Sequence, residues 1–337
     1  MAGMITLGAL APLTRPGWTD AGRHLLAGLE LAVREVNDAG GIAGTPLGLI
    51  VRDTGADPAK AEAAVDELAG LGVAALAGEY HSVVARAAAT RADALGVPFL
   101  CSSAVLDTLT PRPTDLVARL SPPQSRGWRT YADHLLAAGH RRIAVVAQPS
   151  AYWDAGTRVL RDHLTPRGAG LTVLDPAADV CDALVAHRAT ALLLLTGSPD
   201  PAVGIIRAVR RDDRLTGVLL GAPAGQPEFL GDDGTGIPFL RYLPDQLTPL
   251  GTRVEATLRH HLGEAPSFVA FEGYDTVLVL TESLRTATSW AHLSVPGTRG
   301  PITFSPDPAT GLWQWPQAPL QVAEREPSGH VRVLRTG

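Results

Sequence analysis

Short apolar runs recur along the chain, and each is followed by a turn rich in Gly, Ser or Pro. A segment with helical periodicity follows most of these turns. The apolar runs are residues 5–10, LGLIV (47–51), VAALA (73–77), VPFLC (97–101), IAVVA (143–147), ALLLL (191–195) and GVLLG (217–221). Strands that alternate with helices in this way are typical of parallel sheets with helices on both faces. The pattern therefore predicts an α/β fold.

Helical spacing and capping residues locate the helices between these strands. Apolar residues recur at helical spacing over residues 25–36, and Gly40-Gly41 ends that run. Asp57-Pro58 has the pattern of an N-cap followed by the first helical residue. A further helix is predicted from Ser82.

The pattern of strand and helix occurs twice, which predicts two doubly wound lobes with a ligand cleft between them. The first crossover is expected at Pro122-Pro123, because proline removes a backbone donor and disfavours helix. Residues 246–287 predict two further helices without a new strand, which we expect to return to the first lobe, and the tail predicts short antiparallel strands. The predicted lobes are residues 1–120 plus 249–318 and residues 121–248 plus 319–337, with hinges near residues 120, 248 and 319.

The composition is that of an ordinary globular protein. The chain has 337 residues, of which 45% are apolar and 19% are charged, so two sizeable cores can be buried. The net charge of −5 provides no basic surface for nucleic acid. No run approaches the roughly 18 apolar residues that span a bilayer, and the first residues lack the features of a secretory signal. We expect a chain that is cytoplasmic as written, or one whose export signal has been cut away.

The two cysteines, Cys101 and Cys181, form neither a CxxC motif nor a disulfide framework. Cys101 ends a predicted strand of the first half, and Cys181 lies in a helix-like run of the second half. A single bridge between them stays open as an alternative.

The turns that follow the predicted strands hold most of the candidate chemistry, because ligands of open parallel sheets bind outside the carboxyl ends of the strands. These turns read PLTRPGW, GEYHS, CSSAV, QPSAYW, TGSPD and APAGQ, and they carry the aromatic residues Trp18, Tyr80, Tyr152 and Trp153. Ser82 is expected to cap its helix, whose first N–H groups and dipole favour a carboxylate or another small polar group. We predict that Tyr80 and Ser82 face a small ligand. The alternative is that Ser82 is only a cap and Tyr80 only packs beneath a loop.

Catalytic and metal-binding patterns are absent or weak. His260-His261 lies near a predicted helix end, and adjacent residues do not chelate a metal from one helical face. The run Gly231-x-x-Gly234-x-Gly236 follows no strand and has the wrong spacing for a dinucleotide loop. Asp53 and Asp57 are explained as turn and cap residues. The sequence thus predicts no enzyme activity, no cofactor and no metal.

Several stretches along the chain share the motifs of a known family. They are GALAPLT, GLELAVREVNDAGGIAGTPL (28–47), RDTGADPAKAEAAVDEL, LAGEYHSVVARAAATRADALGVPFLCSSA (76–104), AYWDAG, FEGYDTVLVLTESL and GPITFSPDPATG. With these stretches the chain resembles the type I periplasmic binding proteins, in the branch of the leucine/isoleucine/valine-binding proteins and the cytoplasmic amide sensor of amidase operons. The resemblance implies a two-lobed protein that closes on an amino acid or a related small solute.

The resemblance also implies which residues of the first lobe hold the ligand. In relatives, the carboxylate or amide of the ligand is held by a serine that matches Ser82. The segment that matches CSSAV, here Ser102, Ser103 and the position of Val105, completes this part of the site. Val105 is a departure, because the amino-acid binders commonly have a threonine hydroxyl there.

In the second lobe, the relatives usually add an aromatic residue at Tyr152 and another group near Ser198. Pro223 is a second departure, because it stands near the acidic residue that pairs with the ligand's ammonium group in relatives. Without that acid, a zwitterionic amino acid would bury an unpaired cation at a cost of several kcal/mol, unless Asp154 or Glu228 reaches it.

Two functions remain open from the sequence. The first is a solute-binding protein that delivers a small ligand to an ATP-driven (ABC) membrane permease. The second is a cytoplasmic sensor of amides or amino acids that controls a regulatory protein through lobe closure. Both involve an amino acid, an amide or a related small carboxylate, and neither involves nucleic acid. The predicted ligand-binding residues are Trp18, Tyr80, Ser82, Ser102, Ser103, Val105, Tyr152, Trp153, Ser198 and Pro223.

Overall fold

The computed structural model describes residues 3–175, 179–224 and 227–337. The chain divides into two compact units. Unit 1 is Met1–Pro123 with Tyr242–Pro319, and unit 2 is Gln124–Arg241 with Leu320–Gly337. The second crossover thus lies earlier in the chain than the predicted residue 248. The reason is that Thr248 already belongs to unit 1, where its N–H donates to the carbonyl oxygen of Thr298 (3.1 Å).

Helices and strands alternate over most of the described chain. The helices are α1 (Thr19–Asp38), α2 (Pro58–Gly70), α3 (Ser82–Leu95), α4 (Gln124–Ala137), α5 (Ala151–Leu164), α6 (Val180–Ala186), α7 (Ala202–Arg211), α8 (Pro249–Leu262) and α9 (Phe268–Thr286). The strands are β1 (Ile5–Ala11), β2 (Leu47–Asp53), β3 (Ala75–Gly78), β4 (Phe99–Cys101), β5 (Val117–Arg119), β6 (Arg142–Ala147), β7 (Gly170–Leu174), β8 (Ala191–Leu195), β9 (Leu219–Gly221), β10 (Phe239–Arg241), β11 (Ser294–Pro296), β12 (Pro301–Thr303), β13 (Ser305–Pro306), β14 (Trp313–Gln314), β15 (Gln321–Arg325) and β16 (Val331–Thr336).

Unit 1 is built on a sheet with the strand order β13-β14-β5-β4-β3-β1-β2, in which β1 to β5 are parallel. Helices α2 and α3 pack on one face through a buried cluster that includes Val65, Leu68, Val84, Leu76 and Phe99. Helix α9 packs against α1 and also contacts β3 and β4. The predicted Asp57-Pro58 start of α2 is confirmed, since the Asp57 carboxylate accepts the N–H of Ala59 (2.8 Å).

Unit 2 contains a parallel sheet in the order β7-β6-β8-β9 and an antiparallel sheet in the order β10-β15-β16. A bridge between Ala222 and Phe239 joins the two sheets. Helices α6 and α7 cover one side of the parallel sheet through Leu184, Ile206 and Val209, and α4 packs against α5. The predicted α/β fold with doubly wound parallel sheets is therefore confirmed.

The tail departs from the purely antiparallel prediction. Strands β11 and β12 pair antiparallel, as do β13 and β14, and β15 and β16. Strand β14, however, runs parallel to β5. The reason is a turn at Asp307, whose carboxylate accepts the N–H groups of Ala309 and Thr310. This turn reverses the chain, so the second strand of the hairpin extends the sheet in the direction of β5.

Both cysteines are free: Cys101 is buried at the end of β4 in unit 1, and Cys181 lies in α6 of unit 2. The possible bridge between them does not form. Within the residues that the structure describes, every helix lacks the length or the apolar character needed to cross a bilayer.

Candidate functional site

Two polar side chains of unit 1 connect the carboxyl ends of the adjacent parallel strands β1, β2 and β3. The carboxylate of Asp53, at the end of β2, accepts the N–H groups of Leu13 (2.7 Å) and Thr14 (3.2 Å) in the turn after β1. The next residue, Thr54, donates its hydroxyl to Oε2 of Glu79 (2.7 Å), which directly follows β3. The prediction of Asp53 as a turn residue is confirmed, since its carboxylate also accepts the N–H of Gly55 (2.9 Å). Hydrogen bonds thus connect the ends of the three strands.

Glu79 is a buried acidic residue of this region that the sequence reasoning missed. Its side chain is fully buried, and Oε1 accepts the backbone N–H groups of Tyr80 (2.8 Å) and His81 (2.9 Å). Burial raises the pKa of this carboxyl group to about 7, although its hydrogen bonds act in the opposite direction. The available signal was an acidic residue placed directly after a buried strand, where an exposed position is the usual one.

His81 fixes the positions of Trp18 and Tyr80. Its Nε2 accepts the backbone N–H of Trp18 (3.0 Å), and burial of the ring lowers its pKa to about 4. The neutral ring therefore carries its hydrogen on Nδ1. The ring of Tyr80 meets both neighbours edge to face, with centroid distances of 6.1 Å to Trp18 and 5.2 Å to His81. The structure thus brings together two of the predicted aromatic residues.

The structure corrects the predicted role of Ser82 as a helix cap. Ser82 is the first residue of α3, and the N-cap position belongs to His81, which makes no side-chain cap bond. The Ser82 hydroxyl oxygen instead accepts the N–H groups of Val105 (3.1 Å) and Leu106 (3.2 Å). Since the loop after β4 brings these two otherwise unpaired donors to the hydroxyl, they take the place of the helix's own N–H groups. The hydroxyl hydrogen stays available for donation.

Ser102 and Ser103 form a buried turn directly after β4. The N–H of Ser102 donates to the carbonyl oxygen of Gly78 at the end of β3 (3.0 Å), and the Ser103 hydroxyl donates to that of Ser102 (3.1 Å). Behind the turn, the Ser121 hydroxyl lies 2.9 Å from the carbonyl oxygen of Ser102. The predicted residues of unit 1 therefore lie in turns that follow the strands of one sheet.

In unit 2, Tyr152 and Trp153 lie in the first turn of α5 and are partly exposed. Ser150 caps this helix by accepting the N–H of Trp153 (3.1 Å). The fully buried indole of Trp128, from α4, meets the ring of Tyr152 edge to face at 5.9 Å and that of Trp153 at 6.4 Å. The sequence reasoning missed Trp128, because a helix residue away from the strand ends gave no signal.

Gly156 is expected to be essential for this aromatic cluster. A Cβ atom at this position would lie 2.2 Å from the Trp128 ring, so Gly156→Ala should displace the indole and lower the free energy of unfolding by about 1 to 3 kcal/mol. Denaturant unfolding and tryptophan fluorescence would measure both effects. Gly204→Ala in α7, where nothing lies within 4 Å, is the matched control and should stabilise the protein by up to about 1 kcal/mol. Equal stabilities of the two variants would contradict the expectation.

Ser198 lies in the turn after β8 and lines a small cavity of about 10 Å³. The remaining lining is mostly apolar and includes Leu194 and Ile206. Thr196 also lines the cavity, and its hydroxyl oxygen is buried without a hydrogen-bond partner among the described residues. A volume of this size suits one water molecule.

The two acids that were considered as partners for a ligand ammonium group differ in how far they are buried. Asp154 is exposed in the first turn of α5. Glu228 is half-buried, and its Oε2 atom is covered and has no hydrogen-bond partner within residues 3–175, 179–224 and 227–337. Burial raises the pKa of the Glu228 carboxyl group to about 7. Pro223 is buried in the turn after β9.

The patterns set aside in the sequence occupy ordinary surface positions. His260 and His261 are exposed in the last turn of α8, and residues 231–234 form a single 3-10 turn. Across the described part of the chain, no group of three or more His, Cys, Asp or Glu side chains is arranged to hold a metal ion.

Comparisons with known proteins agree with this architecture. A protein called Leu/Ile/Val-binding protein homolog 8, from Brucella abortus (strain 2308), is 32% identical over 163 residues, which are 45% of this chain. The match spans only 40% of the length of that relative. Among solved structures, the leucine binding protein LivK from Thermotoga maritima matches with a TM-score of 0.82 at 18% identity, and the alignment covers 99% of this chain and 98% of LivK.

A second solved structure, an ABC-transporter solute binding protein from R. palustris in complex with benzoate, matches with a TM-score of 0.82. It is 19% identical, and the alignment covers 99% of this chain and 96% of that protein. At these identities the solved structures support the fold. The family follows from a different comparison: the family model described as periplasmic binding protein matches residues 4–296. The chain therefore belongs to the periplasmic binding protein family.

Proposed function

We propose that the chain is a solute-binding protein whose ligand is a small carboxylate with an apolar body. In this proposal, Ser82 and the turn Ser102-Ser103 of unit 1 hold the carboxylate. Trp18 and Tyr80 of the same unit contact the apolar body, and Tyr152 and Trp153 are the candidate aromatic residues of unit 2. The ligand is passed to an ATP-driven membrane permease, and the protein works outside the cytoplasmic membrane.

The observation that carries this proposal is the hydrogen bonding of Ser82. Its oxygen already accepts two backbone N–H groups, so the group that it offers to a ligand is its O–H donor. His81 also offers a donor, because the Trp18 N–H occupies Nε2 and leaves the hydrogen on Nδ1. Two donors at neighbouring positions match the acceptor-only oxygens of a carboxylate.

The candidate residues of unit 2 favour a ligand without an ammonium group. Pro223 provides no carboxylate, Asp154 is exposed, and burial raises the pKa of Glu228 to about 7, which weakens it as a fixed anion. The relatives provide both alternatives as models, since one is named for leucine and another is complexed with benzoate. These two ligands share a carboxylate and an apolar body and differ in the ammonium group. The relatives' names support transport and do not favour the amide sensor.

Titration calorimetry with benzoate and L-leucine tests the ligand class. We expect benzoate to bind at least tenfold more tightly than L-leucine, because the leucine ammonium group would be desolvated without a charged partner. Mass spectrometry of small molecules released from the purified protein would identify a retained natural ligand. Tighter binding of L-leucine, or a retained ligand without a carboxylate, would refute the proposed class.

Ser82→Ala should affect both stability and binding. It leaves the N–H groups of Val105 and Leu106 without their acceptor, which should lower the free energy of unfolding by about 2 kcal/mol, and it should weaken benzoate binding about ten- to a hundredfold. The matched control is Ser267→Ala, which removes a buried serine that caps α9 in the same unit. The control should lower stability by about 1 kcal/mol and leave the benzoate affinity within twofold. The role of Ser82 fails if both variants bind equally well.

A further inference from the structure

A single hydroxyl group in the core of unit 1 lies within hydrogen-bond distance of two oxygen atoms. Oγ of Ser121 is 2.9 Å from the carbonyl oxygen of Ser102 and 2.6 Å from Oε1 of Glu272 on α9. All three residues are completely buried. Since a serine hydroxyl has one hydrogen and a carbonyl oxygen only accepts, both contacts are hydrogen bonds only when the Glu272 carboxyl group is the second donor.

The charges around Glu272 favour a proton on this carboxyl group. The guanidinium group of Arg299 contacts Oε1 of Glu272 (3.2 Å) and Oδ2 of Asp275 (3.0 Å), and all three side chains are buried. One cation thus faces two carboxyl groups, and the buried Cys101 thiol is a further ionisable group that interacts with Glu272. Burial raises the pKa of Glu272 to about 7 and also raises that of Asp275. In the protonated form, Glu272 donates to Ser121, and Ser121 donates to the Ser102 carbonyl.

This network reaches the two places where the chain first leaves and then re-enters unit 1. Ser121 lies just before Pro123, the last residue of the first segment, and Tyr242 is the first residue of the second segment. The Tyr242 carbonyl oxygen accepts from the same Arg299 nitrogen that contacts Glu272 (3.2 Å). The turn of Ser102 and Ser103 and both connecting segments are therefore held by one buried cluster.

We propose that Glu272 is a positioning residue that holds the Ser102-Ser103 turn through Ser121 and links this turn to the connecting segments at Ser121 and Tyr242. The function assigned to the turn rests on the proposed carboxylate-binding role. The hydrogen-bond relay itself is a property of unit 1 without ligand. Ionisation of Glu272 takes the Ser121 hydrogen away from Ser102, so the turn loses a hydrogen bond above neutral pH.

Amide hydrogen exchange of the ligand-free protein tests the relay. The peptides to follow cover residues 102–106 and 119–123, with rates corrected for the intrinsic effect of pH. In the parent protein, the corrected exchange should increase at least threefold between pH 6 and pH 8. Glu272→Gln has no ionisable group at this position, so its profile should be flat between pH 6 and pH 8. Ser121→Ala should exchange faster than the parent at pH 6.

Asp275→Asn is the matched control, because Asp275 shares the helix, the burial and the Arg299 partner of Glu272 but has no contact with Ser121. Because the Asp275 charge raises the pKa of Glu272, this variant should keep a pH response but shift it to lower pH. The relay is overturned if the parent profile is flat, if Glu272→Gln retains the pH response, or if Asp275→Asn shifts the response to higher pH.

Benzoate calorimetry separates this inference from the proposed function. If the parent binds benzoate, its affinity should fall between pH 6 and pH 8 by at least a factor of three more than that of Glu272→Gln. Equal pH profiles of the two proteins would overturn the positioning role while leaving the ligand class intact. If the parent does not bind benzoate, the proposed ligand class fails, and the exchange profiles alone decide whether the relay exists.

Discussion

Gly28→Ala should lower the free energy of unfolding by about 3 kcal/mol, at the upper end of the range for overpacked cores. A Cβ atom at Gly28 on α1 would lie 1.9 Å from the carbonyl oxygen of Ala270 and 2.9 Å from the nitrogen of Tyr274, both backbone atoms of α9. A backbone cannot rotate away as a side chain does, so the two helices must separate. The reciprocal contact is equally close, because a Cβ at Gly273 would lie 2.4 Å from the carbonyl oxygen of Leu25.

Denaturant unfolding of Gly28→Ala measures this effect. Because Gly28 lies in unit 1, an unfolding transition that shifts in this variant is assigned to that unit. Gly70→Ala is the matched control in the same unit. It lies at the end of α2 with nothing within 4 Å of its Cβ position, and it should stabilise the protein by up to about 1 kcal/mol. A loss below about 0.5 kcal/mol in Gly28→Ala would show that α1 and α9 are not in backbone contact.

Glu79→Gln should make the protein more stable than the parent at alkaline pH but not at acid pH. The folded pKa of Glu79 is about 7, above the ordinary value of 4.5. Below about pH 4.5 the carboxyl group is neutral in the folded and unfolded states, so the two proteins should differ little. Between about pH 4.5 and pH 7 the unfolded state ionises while the folded state keeps its proton, so the parent loses stability as pH rises through this range. The difference should grow to about 3 kcal/mol by pH 8.

The oxygen of the glutamine variant accepts from Tyr80 and His81 as Oε1 of Glu79 does. Its amide donates to the Thr54 hydroxyl, which reverses the bond that Thr54 donates to Glu79. Urea unfolding of both proteins at pH 5, 6, 7 and 8 measures the difference. The low pKa of His81 affects the stability of both proteins, so its contribution cancels in the difference between them. Glu62→Gln, at an exposed position on α2, controls for the loss of one carboxyl group. A difference that stays constant from pH 5 to pH 8 would contradict the buried, raised pKa.

The strands predicted most accurately are those that the sheet buries on both faces. Residues 191–195 are a continuous apolar run, and β8 has the same bounds with every residue buried. Strand β7 was not predicted, because it lies at a sheet edge, where its side chains are only partly buried. Strand β5 was also missed. It has three residues and includes Arg119, whose buried guanidinium donates to Gln314 and to the Leu106 carbonyl.

The candidate site was located by a rule that needs only the sequence. Parallel strands place their carboxyl ends at one edge, so the turns after the apolar runs identify the residues at that edge. This reasoning found Trp18, Tyr80, Ser82 and Ser102 without any coordinates. It could not find the hydrogen-bond partners of these residues, which explains why the predicted cap role of Ser82 was wrong.

The sequence alone therefore determined the alternation of strands and helices, the helix start at Asp57 and the turns that carry the candidate site. Each of these depends on hydrophobic periodicity or capping between near neighbours in the chain. Only the tertiary structure decided the burial of Glu79, the contact of Gly28 with Ala270 and the network of Ser121, Glu272 and Arg299. These features join residues far apart in the sequence, and their energies depend on distance and solvent exclusion, which no local pattern encodes.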